Sequence, residues 1–366
     1  MINELEELKK LDIYPFHMPG HKRNMHGYPM AEAYDYDITE IDGFDNLHDT
    51  DSDGIIKEQE DRAAKYYGAD EAHILINGSS CGILAAIGAV VPHHGKILMA
   101  RNSHKSAYNA LYINEMEAEY VMPETAGEYG MNGGVAPAEI AKALSCENDI
   151  KAVFITSPTY EGFISDIPAI AGIAHAHGIP LILDSAHGAH LPMEKSADIV
   201  IMSLHKTLPA FTSTALVLIN GNLVDRYKLR EYLTIFQTTS PSYILMAGVE
   251  NCFDILANEG EKRFAALNGW IDELYKNTKK LKKLQLIGPE YEGKYGVKKF
   301  DRTKLIIADR TGKTTGREIY AALRTKYRIQ PEMAAGRYCL CMSSIMDTED
   351  GFIRLFNAMR DIDDNI

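Results

Sequence analysis

The chain has 366 residues, 46% hydrophobic and 24% charged, a balance that excludes a disordered tail, a collagen-like repeat and a small disulfide scaffold. A formal charge of −13 without a basic stripe argues against nucleic acid as a partner. The longest apolar run, residues 82–91, is about half of what a membrane-spanning helix needs, so no membrane partner is expected. The charged start MINELEELKK has no apolar signal core, which predicts a cytoplasmic location.

Residues 1–50 are rich in Asp, His, Gly and Tyr and read as an irregular N-terminal arm. Short apolar runs then alternate with helical patterns. Strands are predicted over 73–77, 96–100, 152–157, 181–184, 199–203 and 215–219. Amphipathic stretches such as 137–144 and 167–177 lie between them. Several runs are apolar without alternation, as in strands covered on both faces. The pattern therefore predicts an α/β fold with a mostly parallel sheet. From Ser242 to about Leu284 the period is helical. Strands at 304–308 and 338–342, with helices at 316–327 and 352–359, then read as a small α+β C-terminal domain. The division expected is an arm (1–50), a large domain (51–255) and a small domain (256–366). The five cysteines, Cys81, Cys146, Cys252, Cys339 and Cys341, form no C-x-x-C pair, and most are expected to be reduced and structural.

Three stretches carry chemistry. In 76–82 (INGSSCG) a strand enters a Gly/Ser turn that opens a helix. Gly78, Ser79 and Ser80 there suit a phosphate, or an ordinary helix cap. Asp184 ends an apolar strand, where an open α/β sheet faces its ligand crevice. It can hold a protonated ring nitrogen, cap a helix or ligate a metal. Lys206 follows the next strand in Ser203-Leu-His205-Lys206. It reads either as a buried amine for Schiff-base chemistry or as a lysine snorkelling at the sheet edge. Together, a phosphate turn, a strand-end Asp and a strand-end Lys 22 residues later have the order of a pyridoxal phosphate enzyme.

The sequence also resembles the bacterial Orn/Lys/Arg decarboxylases, which have the aspartate aminotransferase fold (fold type I) of pyridoxal phosphate enzymes. The likeness covers most of the chain. It rests on residues 15–22 (PFHMPGHK), 43–49 (GFDNLHD), 184–190 (DSAHGAH), 203–206 (SLHK) and 238–243 (TTSPSY). The resemblance implies that Ser79 and Ser80 bind the cofactor phosphate and that His104 stacks on its ring. Asp184 would meet the ring nitrogen, with Ala186 and His187 beneath or beside the ring. Ser203 and His205 would belong to the cofactor site, and Lys206 would be the Schiff-base lysine. His104 and His187 join Asp184 and Lys206 as catalytic candidates. Thr239 and Ser240 match a loop reaching the neighbouring subunit's phosphate, which implies a homodimer. Glu332 matches an acidic residue for the distal cationic group of the substrate. The expected activity is decarboxylation of arginine, lysine or ornithine, toward a diamine or polyamine precursor. The chain reads as a short form without the further C-terminal region usual in the family.

Other readings are an aminotransferase or another fold type I lyase, for which Arg337 and Arg354 offer a carboxylate clamp, and a non-catalytic cofactor-binding paralogue. The pairs His93/His94, His175/His177 and His187/His190 lack metal-ligand spacing, so no metal is expected. The stretch TGKT at 311–314 has Ile307 where a P-loop needs glycine. Lys105 does not follow the Asp-bearing strand. His17, His21 and His26 would shape a substrate entrance or order the arm.

Overall fold

The computed structural model describes residues 1–11, 13–48 and 53–365. Residue 49 of the 43–49 motif and the expected boundary at 50/51 lie outside them. Seven strands build the main sheet: β1 (Glu71–Leu75), β2 (Lys96–Ala100), β3 (Glu117–Val121), β4 (Ile150–Thr156), β5 (Leu181–Asp184), β6 (Ile199–Ser203) and β7 (Ala215–Ile219). Their order is β1-β7-β6-β5-β4-β2-β3. The pairs from β6 to β3 are parallel, whereas β7 is antiparallel to both β6 and β1. Two antiparallel steps restore the direction. The C-terminal ends of β1, β4, β5 and β6 therefore share one edge, and the chemistry-bearing turns follow them.

The buried strands are apolar on both faces because helices cover both. The helix Gly78–Val90 is apolar nearly all round. Gly82 lets it close on the sheet, since a Cβ there would stand 2.6 Å from Leu75 Cδ1 and 3.0 Å from Val217 Cγ2. Its outer side packs on the helix Arg226–Phe236 through Gly88 and Tyr232.

The sequence reading misses β3 because it alternates charged and apolar residues (EAEYV) at the exposed edge of the sheet. The arm reading is also corrected at its start. Ile2–Lys10 is a helix whose amphipathic stripe buries Leu5, and Ile2 N donates to Glu250 Oε2 at 2.7 Å.

The helix Tyr243–Thr278 runs unbroken for 36 residues, across position 255 where the sequence reading divides large from small domain. It ends earlier than expected, and residues 284–287 form a strand. A second, antiparallel sheet joins β8 (Leu284–Ile287), β9 (Lys304–Asp309), β10 (Met333–Ala335) and β11 (Tyr338–Met342) in the order β8-β9-β11-β10. The helices Gly316–Thr325 and Glu349–Asn365 complete this part. In the TGKT stretch, Asp309 accepts from the N–H groups of Thr311, Lys313 and Thr314, so the loop is closed on its own carboxylate. Four of the five cysteines are buried and Cys146 is exposed. Among the described residues, no helix is long and apolar enough to cross a membrane.

Candidate active site

One cavity of about 160 Å³ opens at the shared strand edge. Its walls include Ser79, Asn102, His104, Tyr160, Glu161, Asp184, Ala186, His187 and Lys206. The fold thus brings together six residues singled out from sequence: Ser79, His104, Asp184, Ala186, His187 and Lys206.

Asp184 ends β5, in register with Thr156 of β4. Its Oδ1 accepts from Ala186 N at 3.1 Å. Burial raises the carboxyl above its ordinary range, against the pull of the Ala186 N–H and Lys206. Lys206 lies in the short helix Leu204–Thr207 that follows β6. Burial lowers its ammonium below the ordinary lysine value. Asp184 opposes that shift, and Lys304 adds to it. Lys206 Nζ lies 3.2 Å from His187 Nε2. His187 is held down to about 2, chiefly by burial and then by Lys206, so its imidazole is neutral. Its ring leans on Tyr160, with centroids 4.6 Å apart.

Gly78 takes φ +77°, a left-handed conformation suited to glycine, and opens the helix that carries Ser79 and Ser80. Ser203, fully buried, donates to Ser79 Oγ at 2.9 Å and so ties that helix start to β6. His104 caps the helix Lys105–Ile113, its Nδ1 accepting from Ser106 N at 3.3 Å. Burial lowers its pKa.

Other expected residues lie elsewhere. Gly78, Ser80 and Ser203 adjoin Ser79 but do not line the cavity. His205 turns away to Thr214 O, 2.9 Å from its Nδ1. Thr239 and Ser240 are exposed in a loop whose first residue, Thr238, donates to Asn77 Oδ1 at 3.1 Å. His48 of the 43–49 motif lies 2.8 Å from Thr238 O. The 15–22 motif leaves Phe16 91% exposed. Glu332 is exposed and accepts a short hydrogen bond from the Tyr160 hydroxyl. Arg337 pairs with Glu128, and Arg354 donates to Tyr327 O. Neither arginine lines the cavity.

Sequence reasoning missed Tyr160 and Glu161. Their signal is the same as that of Asp184, a polar cluster just past an apolar strand. Asn102, at the end of β2, belongs with them.

The donor set fits pyridoxal phosphate. A buried carboxylate that burial penalises gains from a cationic ring nitrogen. A helix start with a serine suits a phosphate, and a depressed lysine suits a carbonyl. Buried Asn102 Oδ1 and His187 Nδ1, both at this cavity, have no hydrogen-bond partner among the described residues, as expected where a ligand completes a site.

A family model described as Orn/Lys/Arg decarboxylase, major domain, matches residues 2–291. The arginine decarboxylase of Bacillus cereus is 29% identical, over 99% of this chain and 82% of its own length. That of Bacillus subtilis is 28% identical, over 95% and 74%. The solved lysine decarboxylase of Francisella novicida superposes with a TM-score of 0.83 at 18% identity, covering 99% of this chain and 59% of that one. The constitutive lysine decarboxylase of Escherichia coli gives 0.81 at 19%, over 99% and 60%. The chain thus spans about three-fifths of those two structures. The likeness, shared at a TM-score of 0.65 with a serine palmitoyltransferase from Sphingomonas wittichii, shows fold type I. With the family match spanning most of its length, the chain belongs to the Orn/Lys/Arg decarboxylase family.

Proposed function

We propose that the chain is a pyridoxal phosphate-dependent decarboxylase of a basic amino acid, releasing carbon dioxide and an amine that serves as a polyamine precursor. One observation carries this reading: Lys206, Asp184 and Ser79 converge on one cavity that, among the described residues, also holds carboxylate and tyrosine groups but no arginine. Arginine is the first substrate to test, because the relatives that align along nearly the whole chain are arginine decarboxylases.

When bound, the cofactor supplies an electron-withdrawing ring that lets a bond at the substrate's Cα break. Asp184 would hold that ring's nitrogen in its protonated form, and Ser79 with the helix start would hold the phosphate. Lys206 Nζ, neutral more readily than an ordinary lysine, would hold the cofactor's carbonyl carbon and would move a proton at the substrate's Cα. Neutral His187 accepts from, or donates to, that amine at 3.2 Å and orients it. Glu332, held by Tyr160, puts negative charge at the mouth, where it attracts a cationic substrate.

A homodimer in the cytoplasm is part of the proposal. The exposed Thr239 and Ser240 would reach the phosphate of a second copy. The aminotransferase reading is less favoured because Arg337 and Arg354 are engaged away from the cavity.

Purified protein supplied with pyridoxal phosphate and arginine, lysine or ornithine should release carbon dioxide and amine without a keto acid. An absolute need for a keto-acid acceptor would overturn decarboxylation in favour of transamination.

A further inference from the structure

The turn after β4 is built from both sheets. Thr159 N donates to Phe163 O at 2.9 Å, and Gly162 N donates to Thr159 O at 3.0 Å. Gly162 takes φ +95°, and a Cβ there would stand 2.6 Å from Lys304 Cγ of β9. The bare glycine thus lets the small sheet come up beneath the turn. Asp301 N reinforces the contact by donating to Gly162 O at 2.8 Å. Phe163, just beyond, pairs with Phe300 in a short antiparallel ladder. The turn is therefore braced, and it sets Tyr160 and Glu161 into the cavity wall beside Lys206.

Glu161 is only 7% exposed. Its Oε1 accepts from the Tyr338 hydroxyl of β11 at 2.7 Å. Among the described residues, Oε2 has no hydrogen bond and the carboxylate has no ion pair. Removing a carboxylate from water without a cation is unfavourable. A fold that places such a group in a cavity wall, aligned by a tyrosine, has one half of an ion pair in position. Glu332 differs: it is exposed, and Tyr160 already occupies it.

Building on the decarboxylase reading, we infer that Glu161 seats the distal cationic group of the substrate, a guanidinium or ammonium, and that Tyr338 aligns it. Glu332 remains an attractor at the mouth. Specificity is then set jointly by the turn after β4 and by β11. The depth available for the cation depends on how the small sheet sits against the large one.

The test is binding by the cofactor-loaded protein, read by calorimetry and by the change in its visible absorption. The ligands are arginine against its neutral isostere citrulline, and lysine against norleucine. The cationic member should bind more tightly in each pair. Glu161→Gln should weaken the cationic ligands about ten- to a hundredfold and change the neutral ones less than about threefold. Glu161→Asp should recover part of the loss. Tyr338→Phe should weaken the cationic ligands by about two- to tenfold. An equal loss for both members of a pair would make Glu161 a structural tie between the sheets and overturn the inference. So would an unchanged Glu161→Gln protein that unfolds at the wild-type temperature. A wild type that binds cations selectively, with Glu161→Gln abolishing that selectivity, but releases no carbon dioxide would sink the decarboxylase reading and leave this one standing.

Discussion

Lys206 Nζ and His187 Nε2 lie 3.2 Å apart inside a cavity wall, and burial drives both toward their neutral forms. Two adjacent cationic groups would repel, so neutrality of the imidazole removes one obstacle to keeping the lysine there. Lys206→Ala should therefore lose the visible absorption band and all borohydride-fixed cofactor. Turnover should fall by about three orders of magnitude or more. A variant that kept the fixed cofactor would assign the covalent link to another lysine.

Asp184→Asn keeps the shape and an oxygen to accept from Ala186 N but removes the charge. Activity should fall about a hundredfold or more, and the cofactor should dissociate more readily during dialysis. The unloaded protein should lose little stability, because burial already penalises the free carboxylate. Unchanged turnover would deny Asp184 a role at the ring nitrogen.

Lys304 is fully buried and donates to Asp301 Oδ2 at 3.2 Å, while His190 Nε2 lies 3.1 Å from the same oxygen. Burial alone would raise the Asp301 carboxyl, but His190 and Lys304 hold it below the ordinary range. Asp301→Ala leaves a buried cation unpaired and should cost about 3–5 kcal/mol in denaturant unfolding. The Asp301→Ala/Lys304→Met double variant should recover much of that loss. Additive losses would show that the pair is not coupled.

His73 sits at the far edge of the sheet, with Nε2 3.0 Å from Glu71 and Nδ1 3.6 Å from Glu60. Burial alone would depress it, yet the two carboxylates override that and raise it to about 9. The folded value exceeds the ordinary 6.5. The stabilisation, on the order of 3 kcal/mol, is therefore complete below about pH 6.5 and lost as pH rises through 9. Melting temperatures of the wild type should fall between pH 6.5 and 9.5, and His73→Gln should flatten that slope. Parallel slopes would remove His73 as the source. On the acid side Glu71, held near 2 chiefly by His73, keeps its contribution above pH 4.5 and loses it as pH falls toward 2.

What the sequence disclosed, and what it hid, divides along local and distant interactions. The strands over 181–184, 199–203 and 215–219 coincide with those in the structure, because strands buried on both faces are continuous apolar runs with polar ends. The same logic located Asp184 and Lys206 at one edge. The arm helix was hidden by its charge, since its burial depends on the distant helix Tyr243–Thr278. Glu161 was hidden for a similar reason. Its partner Tyr338 is 177 positions away, and no local pattern links them. His205 shows a detail that no local pattern discloses. It sits inside a legible motif, yet the short helix after β6 rotates its ring to a backbone carbonyl.

The cap made by His104 biases which tautomer the ring adopts. Its Nδ1 accepts the Ser106 N–H at 3.3 Å and lies 2.6 Å from Ser106 Oγ, contacts that favour the tautomer with the proton on Nε2. Protonating Nδ1 would forfeit the first bond of the helix Lys105–Ile113, and burial opposes the charge as well. In that tautomer the ring is an uncharged donor, a face to stack against with one N–H to offer.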